Sequence, residues 1–138
     1  MEKEIIMKIL IVEDDFTSAT ILQKILGTYG DCDLVTNGKK AITAFLSALN
    51  DGRPYDLICL DIMMPEMDGQ ETLKEIRIIE KDRNILGLSG VKVIMTTALN
   101  DRQNVMEAFR SQCDGFIAKP IKRETLLKEL KSMGLLLT

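Results

Sequence analysis

Leu57-Ile58-Cys59-Leu60-Asp61-Ile62-Met63-Met64-Pro65 is the stretch whose reading decides the fold. Four consecutive apolar residues, closed by a carboxylate and soon by a proline, read as a strand buried on both faces. The same construction recurs along the chain. Ile9-Leu10-Ile11-Val12 runs into Glu13-Asp14-Asp15, Val93-Ile94-Met95 into Thr96-Thr97, and Phe116-Ile117-Ala118 into Lys119-Pro120. If these strands are parallel, their polar endings emerge at one edge of the sheet. Carboxylates, a hydroxyl and an ammonium gathered on one rim can hold a divalent cation and a phosphoryl group.

Between the strands lie amphipathic stretches, so that strand and helix alternate five times. A strand over 8–12 precedes a helix over 16–29 with Leu22, Ile25 and Leu26 on one face. A short strand over 33–36 leads to a helix carrying Ala41, Ile42, Phe45 and Leu49. The strand at 57–60 is followed by a helix over 69–81 with Leu73, Ile76 and Ile79 inward. A strand over 91–96 precedes a helix over 100–112 carrying Val105, Met106 and Phe109. The strand at 116–118 is followed by a helix with Leu126, Leu127, Leu130 and Met133, which Gly134 stops. Such alternation implies an α/β fold, a parallel sheet with helices on both faces. The glycine-containing stretch 80–90 reads as a helix end and loop, and no linker or repeat divides the chain.

Composition narrows the function. With 138 residues, 46% hydrophobic and 28% charged, the chain suits one soluble domain spanning 1–138. A formal net charge of −3 offers no electrostatic footprint for direct nucleic-acid binding. No apolar run approaches the roughly 20 residues of a membrane helix, and the opening Met-Glu-Lys-Glu lacks a secretory core. Three widely spaced cysteines and no histidine argue against a zinc site or a disulfide framework and for a reduced, cytoplasmic setting. Any mechanism that needs a histidine must take it from a partner.

In open α/β sheets ligands bind beyond the carboxyl ends of the strands. Asp14, Asp15 and Asp61 would meet there, and their mutual repulsion is relieved by a cation; magnesium fits best, with its preference for oxygen ligands and retained waters. The competing reading makes Asp14 and Asp15 caps of the first helix, but it leaves Asp61 unexplained. Asp61 is the candidate nucleophile, able to attack phosphorus when a metal neutralises the charges. Lys119 supplies a compact positive charge for a phosphoryl oxygen, and Thr97 a hydroxyl. Pro120 is a candidate cis residue that would orient Lys119. Met64-Pro65-Glu66-Met67-Asp68-Gly69 reads as a turn into a helix, with Asp68 as N-cap and Gly69 allowing close backbone approach.

Assembled in this order, the residues resemble a receiver domain of the response-regulator family. The matching pieces are 11–15 (Ile-Val-Glu-Asp-Asp), 60–69 (Leu-Asp-Ile-Met-Met-Pro-Glu-Met-Asp-Gly), 96–98 (Thr-Thr-Ala) and 115–120 (Gly-Phe-Ile-Ala-Lys-Pro), within a core of about 7–133. The resemblance implies a flavodoxin-like, doubly wound sheet of five parallel strands in the order 2-1-3-4-5, with five helices in three layers. It also implies a phosphoacceptor at Asp61, charged by a sensor histidine kinase or phosphotransfer protein. Asp14, Asp15 and Asp61 match the magnesium site, with manganese as an alternative ion, and Met63 matches the residue whose backbone carbonyl completes it. Thr97 matches the switch hydroxyl, with Thr96 as its competitor, and Lys119 the site lysine. Phe116 stands where relatives carry a switch aromatic, often tyrosine. Met63 and Leu99 are apolar where relatives are often polar, and 80–90 is longer than in minimal receivers.

The expected protein is therefore a stand-alone, chemotaxis-regulator-like switch rather than an enzyme, assisting its own phosphotransfer and autodephosphorylation. Its output would be a downstream protein bound by the helix over 100–112, the last strand and the last helix. A phosphorelay intermediate, an inactive binding module and a piece of a larger regulator or hybrid kinase are the alternatives. An aspartyl phosphatase of the haloacid dehalogenase type needs a second acid two residues after the nucleophile, where this chain has Met63.

Overall fold

The computed structural model describes residues 7–64, 66–98 and 113–136. In chain order they form β1 (Met7–Val12), α1 (Phe16–Leu26), β2 (Gly30–Val35), α2 (Gly38–Asn50), β3 (Leu57–Asp61) and α3 (Gly69–Asp82). A 3-10 turn (Gly87–Ser89), β4 (Lys92–Ala98), β5 (Gly115–Lys119) and α4 (Arg123–Ser132) follow. The helix expected over 100–112, together with Leu99 and Pro65, lies outside the described residues.

The five strands form one parallel sheet in the order β2-β1-β3-β4-β5. Successive side chains of a strand point to opposite faces, and the two cores divide accordingly. Leu10, Val12, Ile58, Leu60, Val93 and Met95 meet Ala41, Phe45, Leu73 and Ile76 of α2 and α3. Ile9, Ile11, Leu57, Cys59, Ile94 and Ile117 meet Leu22, Ile25, Leu26, Leu126 and Leu130 of α1 and α4. The result is the three-layered, doubly wound architecture. No helix among the described residues is long and apolar enough to cross a membrane.

Two boundaries differ by three residues from the sequence expectation. α1 ends at Leu26, three residues early, where Gly27 caps it by donating to the Gln23 carbonyl. β2 begins at Gly30, three residues before the expected start, because Gly30, Asp31 and Cys32 pair in register with Met7, Lys8 and Ile9. This edge strand is partly polar, so the backbone ladder defines it where hydrophobic pattern does not. α4 stops as expected, with Gly134 at φ +78°.

The long stretch after α3 is a compact turn. Ile85 N–H donates to the Glu80 carbonyl at 2.8 Å, and the buried Glu80 carboxylate accepts from Val91 N–H and from Arg77 Nη1, each at 2.7 Å. Arg77 also donates to the Val91 carbonyl at 2.9 Å and to Asp114 Oδ2 at 3.1 Å, and Asp114 accepts from Val93 N–H at 2.8 Å. One arginine and two carboxylates thus join the C-terminal end of α3 to the amino ends of β4 and β5. The extra residues enlarge the loop; α3 itself ends at Asp82, one residue beyond the expected end.

Candidate functional site

The site forms at the opposite end of the sheet. Period-two alternation aims its charges in one direction: Glu13 continues the face of Ile9 and Ile11, Asp61 that of Leu57 and Cys59, and Lys119 that of Ile117. Glu13 N–H donates to the Val35 carbonyl at 3.0 Å, so the ladder carries on one residue past β1. Lys119 Nζ lies 2.7 Å from Glu13 Oε1 and 3.3 Å from Asp61 Oδ2. Asp61 is 4% exposed, and its Oδ1 accepts from Met63 N–H at 3.1 Å.

Asp14 joins this group from the exposed side. Carboxylate oxygens of Glu13, Asp14 and Asp61 all lie within 4.8 Å of one another. Three carboxylates facing one lysine are short of positive charge. Burial, followed by a hydrogen bond with Glu13 and its charge, pushes the Asp61 carboxyl up to about 7, against the opposing pull of Lys119 and the Met63 N–H. Burial works against the Lys119 ammonium, but its bonds and attractions to Glu13 and Asp61 outweigh that and raise its pKa. The donor set is all oxygen and partly buried, with one member open to solvent. That chemistry fits a hard divalent cation that keeps several waters.

A buried carboxylate among other acids, with a lysine beside it and a threonine pair on the adjoining strand, is an arrangement that could serve phosphoryl acceptance. The family model of the response regulator receiver domain matches residues 9–131. The chain belongs to the response-regulator receiver family. Among relatives of this receiver domain, a stretch of the hybrid signal transduction histidine kinase L of Dictyostelium discoideum is 37% identical over 128 residues. The alignment covers 92% of this chain and 7% of that kinase, so the receiver domain spans a small part of that relative's length. A chain of the co-crystal structure of the Saccharomyces cerevisiae histidine phosphotransfer protein Ypd1 with the receiver domain of Ssk1 superposes with a TM-score of 0.79 at 27% identity, covering 95% of this chain and 92% of that one. A chain of the CheX–CheY–BeF3–Mg complex of Borrelia burgdorferi superposes with a TM-score of 0.76 at 28% identity, covering 93% and 89%.

The receiver domain redistributes the expected acids. Asp14 and Asp61 come together, but the Asp15 carboxylate turns away to cap α1, accepting from Ser18 N–H at 2.9 Å. That hydrogen bond holds its pKa below the usual carboxylate value. Its place in the cluster is taken by Glu13, whose Oε2 in turn accepts from Asp15 N–H at 3.2 Å. The sequence carried the signal: Glu13 sits in phase with Ile9 and Ile11, whereas Asp15 stands three residues before Ser18, the spacing of an N-cap bond.

The remaining expected residues lie around this centre. Thr97 is buried near the end of β4, one residue past Thr96, which pairs with Asp61. Its hydroxyl donates a long bond, 3.4 Å, to the Ala98 carbonyl. The Thr96 hydroxyl is buried without a partner among the described residues. Phe116 is half-buried against the core shared with α2 and α3, and the Lys119–Pro120 peptide is cis. The Met63 side chain is exposed, while Met64 packs in the core.

Asp61 is also fixed from behind. Asp68 caps α3 by accepting from Glu71 N–H at 2.9 Å, and Gly69 N–H donates to the Ile62 carbonyl at 2.9 Å. A β-carbon at Gly69 would collide with the Asp61 carbonyl oxygen. The start of α3 therefore lies directly against the backbone of the candidate nucleophile.

Proposed function

We propose that this receiver domain accepts a phosphoryl group on Asp61 from a phosphohistidine carried by a sensor kinase or phosphotransfer protein. An Asp61 carboxylate oxygen bonds to phosphorus as the phosphorus–nitrogen bond to the donor imidazole breaks. The bonding pair stays on that nitrogen, which takes up a proton. Magnesium, or manganese, held by Glu13, Asp14, Asp61 and the Met63 carbonyl would neutralise charge on the acceptor and on the incoming group. Lys119 then pairs with a phosphoryl oxygen. Thr97 trades its weak bond to Ala98 for one to the phosphoryl group, and Phe116 follows as the switch aromatic. The protein acts as a phosphoacceptor switch, and its own site also assists loss of the phosphoryl group.

The observation that carries this reading is the convergence of Glu13, Asp14, Lys119 and the buried Asp61 at one end of the sheet. The structural likeness to a chain of a phosphotransfer-protein complex and the identity to part of a hybrid kinase favour a phosphorelay place among the outputs. The free cysteines agree with a cytoplasmic setting. A downstream protein would meet β5 and α4.

Incubation with magnesium and acetyl phosphate, read by intact mass, tests the proposal. One phosphoryl gain, absent from Asp61→Asn and without magnesium, is expected. A gain that persists in Asp61→Asn would overturn the assignment, and no gain in the wild type would favour a binding module without phosphoacceptor chemistry.

A further inference from the structure

We infer that the buried Thr96 hydroxyl donates to the Asp61 carboxyl group as the phosphoaspartate breaks down, and so shortens the time the switch stays charged; the inference rests on the phosphoacceptor reading. Thr96 is 1% exposed, and its hydroxyl has no hydrogen-bond partner among the described residues. A buried hydroxyl left unpaired is destabilising in a way that a methyl group in its place is not. The main chain around it is satisfied, for the Thr96 carbonyl accepts from Ile62 N–H at 3.0 Å. Only the side-chain oxygen is idle, at a strand position where valine would give the same shape.

Strand register says where that hydroxyl can act. Thr96 pairs with Asp61 across the β3–β4 ladder, which places their backbones about 4.8 Å apart. By period-two alternation Thr96 shares the face of Ile94, and Asp61 that of Leu57 and Cys59, the face turned to α1 and α4. The other neighbours of Thr96 on that face are Ile94 and Ala98 along the strand and Ile117 on β5, all with apolar side chains. Among the described residues, Asp61 is the one side chain beside it in the ladder that can accept. Lys119 completes the arrangement. β4 lies between β3 and β5, yet Lys119 Nζ comes within 3.3 Å of Asp61 Oδ2 and 2.7 Å of Glu13 Oε1. Its side chain therefore crosses β4 on the face that carries Thr96. At rest the ammonium attends Asp61 Oδ2 and the Met63 N–H attends Oδ1, and the hydroxyl is left over. Once a phosphoryl group draws Lys119 away, the acyl carbonyl oxygen of the phosphoaspartate loses its cation, and Thr96 is the donor beside it.

Hydrolysis then uses that donor. A water oxygen bonds to phosphorus as the bond from phosphorus to the Asp61 oxygen breaks. The bonding pair stays on Asp61, which becomes a carboxylate again, and the water gives up a proton to solvent as inorganic phosphate leaves. Negative charge grows on both Asp61 oxygens during this step. A hydrogen bond from Thr96 is therefore stronger in the transition state than to the neutral acyl carbonyl, and it speeds the reaction.

The test loads wild type, Thr96→Val and Thr96→Ser with acetyl phosphate and magnesium, removes the donor by rapid desalting, and follows loss of the phosphoryl mass in time. Thr96→Val keeps the shape and lacks the hydroxyl. Its phosphoaspartate is expected to last about five- to tenfold longer, the margin by which a hydrogen bond to a charged acceptor exceeds one to a neutral acceptor. Thr96→Ser keeps the hydroxyl and a decay rate near that of wild type. Urea midpoints of the unphosphorylated, metal-free proteins should place Thr96→Val above wild type and Thr96→Ser below it, so that decay follows the hydroxyl and not stability. Equal decay in wild type and Thr96→Val would overturn the inference, as would a Thr96→Ser that decays as slowly as Thr96→Val. A Thr96→Val less stable than wild type would also overturn it, since the hydroxyl would then be bonded at rest. A wild type that takes up no phosphoryl group would instead overturn the phosphoacceptor reading, and this inference with it.

Discussion

Replacing Asp61 with asparagine should make the metal-free protein more stable, and only above a defined pH. Asp61 is buried beside Glu13, which lifts its carboxyl from 3.8 to about 7 in the folded state. A raised carboxyl contributes stability that is fully present below the unfolded value and lost as pH rises through the folded one. At pH 8 the wild type must hold an ionised Asp61 against that environment, whereas the asparagine carries no charge. The shift corresponds to about 4 kcal/mol at about 1.4 kcal/mol per pH unit. The pull of Lys119, 3.3 Å from Asp61, is already contained in that shift, and because Asp61 and Glu13 share the titration the gain comes to about 2–4 kcal/mol. With a urea slope near 2 kcal/mol per molar, the midpoint of Asp61→Asn should exceed that of wild type by about 1–2 M at pH 8. The difference should shrink as pH falls and nearly vanish by about pH 4. Circular dichroism follows the transition, since the chain has no tryptophan. Saturating magnesium should narrow the pH 8 gap from the wild-type side by binding the folded state. A gap independent of pH, or a less stable variant at pH 8, would refute the reasoning.

Asp15→Ala should remove the α1 cap and lower the urea midpoint, with little change in magnesium affinity by calorimetry. Glu13→Gln should weaken magnesium binding at least about tenfold, and the reverse ranking would restore Asp15 to the metal site. Gly69→Ala should destabilise by about 1–3 kcal/mol and slow acetyl-phosphate labelling, because the added methyl collides with the Asp61 carbonyl; an unchanged rate would mean that α3 yields without moving Asp61. Glu80→Ala strands the Val91 N–H and leaves Arg77 paired with Asp114, and should cost about 1–3 kcal/mol, while folded protein is labelled near the wild-type rate. Slow labelling of the folded Glu80→Ala protein would tie the far end of the sheet to the chemistry.

The strands that build the centre were legible because they are nearly continuous apolar runs, each ended by a polar group in the same phase. Asp61 and Lys119 follow directly from that pattern. β2 was misplaced because an edge strand is held by ladder bonds to β1, and Asp31 and Asp33 alternate where apolar residues would mark a buried strand. The acidic run shows the limit of reading types without directions. Three successive carboxylates look equivalent in a sequence, yet Glu13 turns into the sheet, Asp14 toward the cleft and Asp15 back onto its own helix. The Arg77–Glu80–Asp114 network was invisible for another reason: apart from the Arg77–Glu80 pair, three residues apart, its partners are 11 to 37 residues apart and include backbone groups, which carry no sequence signature.

That network gives the sheet a foundation at its quiet end. Val91, Val93 and Asp114 are anchored to α3 just where β4 and β5 begin, whereas at their far ends the Thr97 hydroxyl makes a long hydrogen bond and Lys119 is shared between two competing carboxylates. β4 and β5 are therefore tied by side chains at their base, while at the acidic cleft they are held by the ladder that pairs Thr97 with Ala118 and Ala98 with Lys119. A change of charge at Asp61 would be met first by Lys119 and by Thr97 at that end of the sheet, while the side-chain tie holds the opposite end in place.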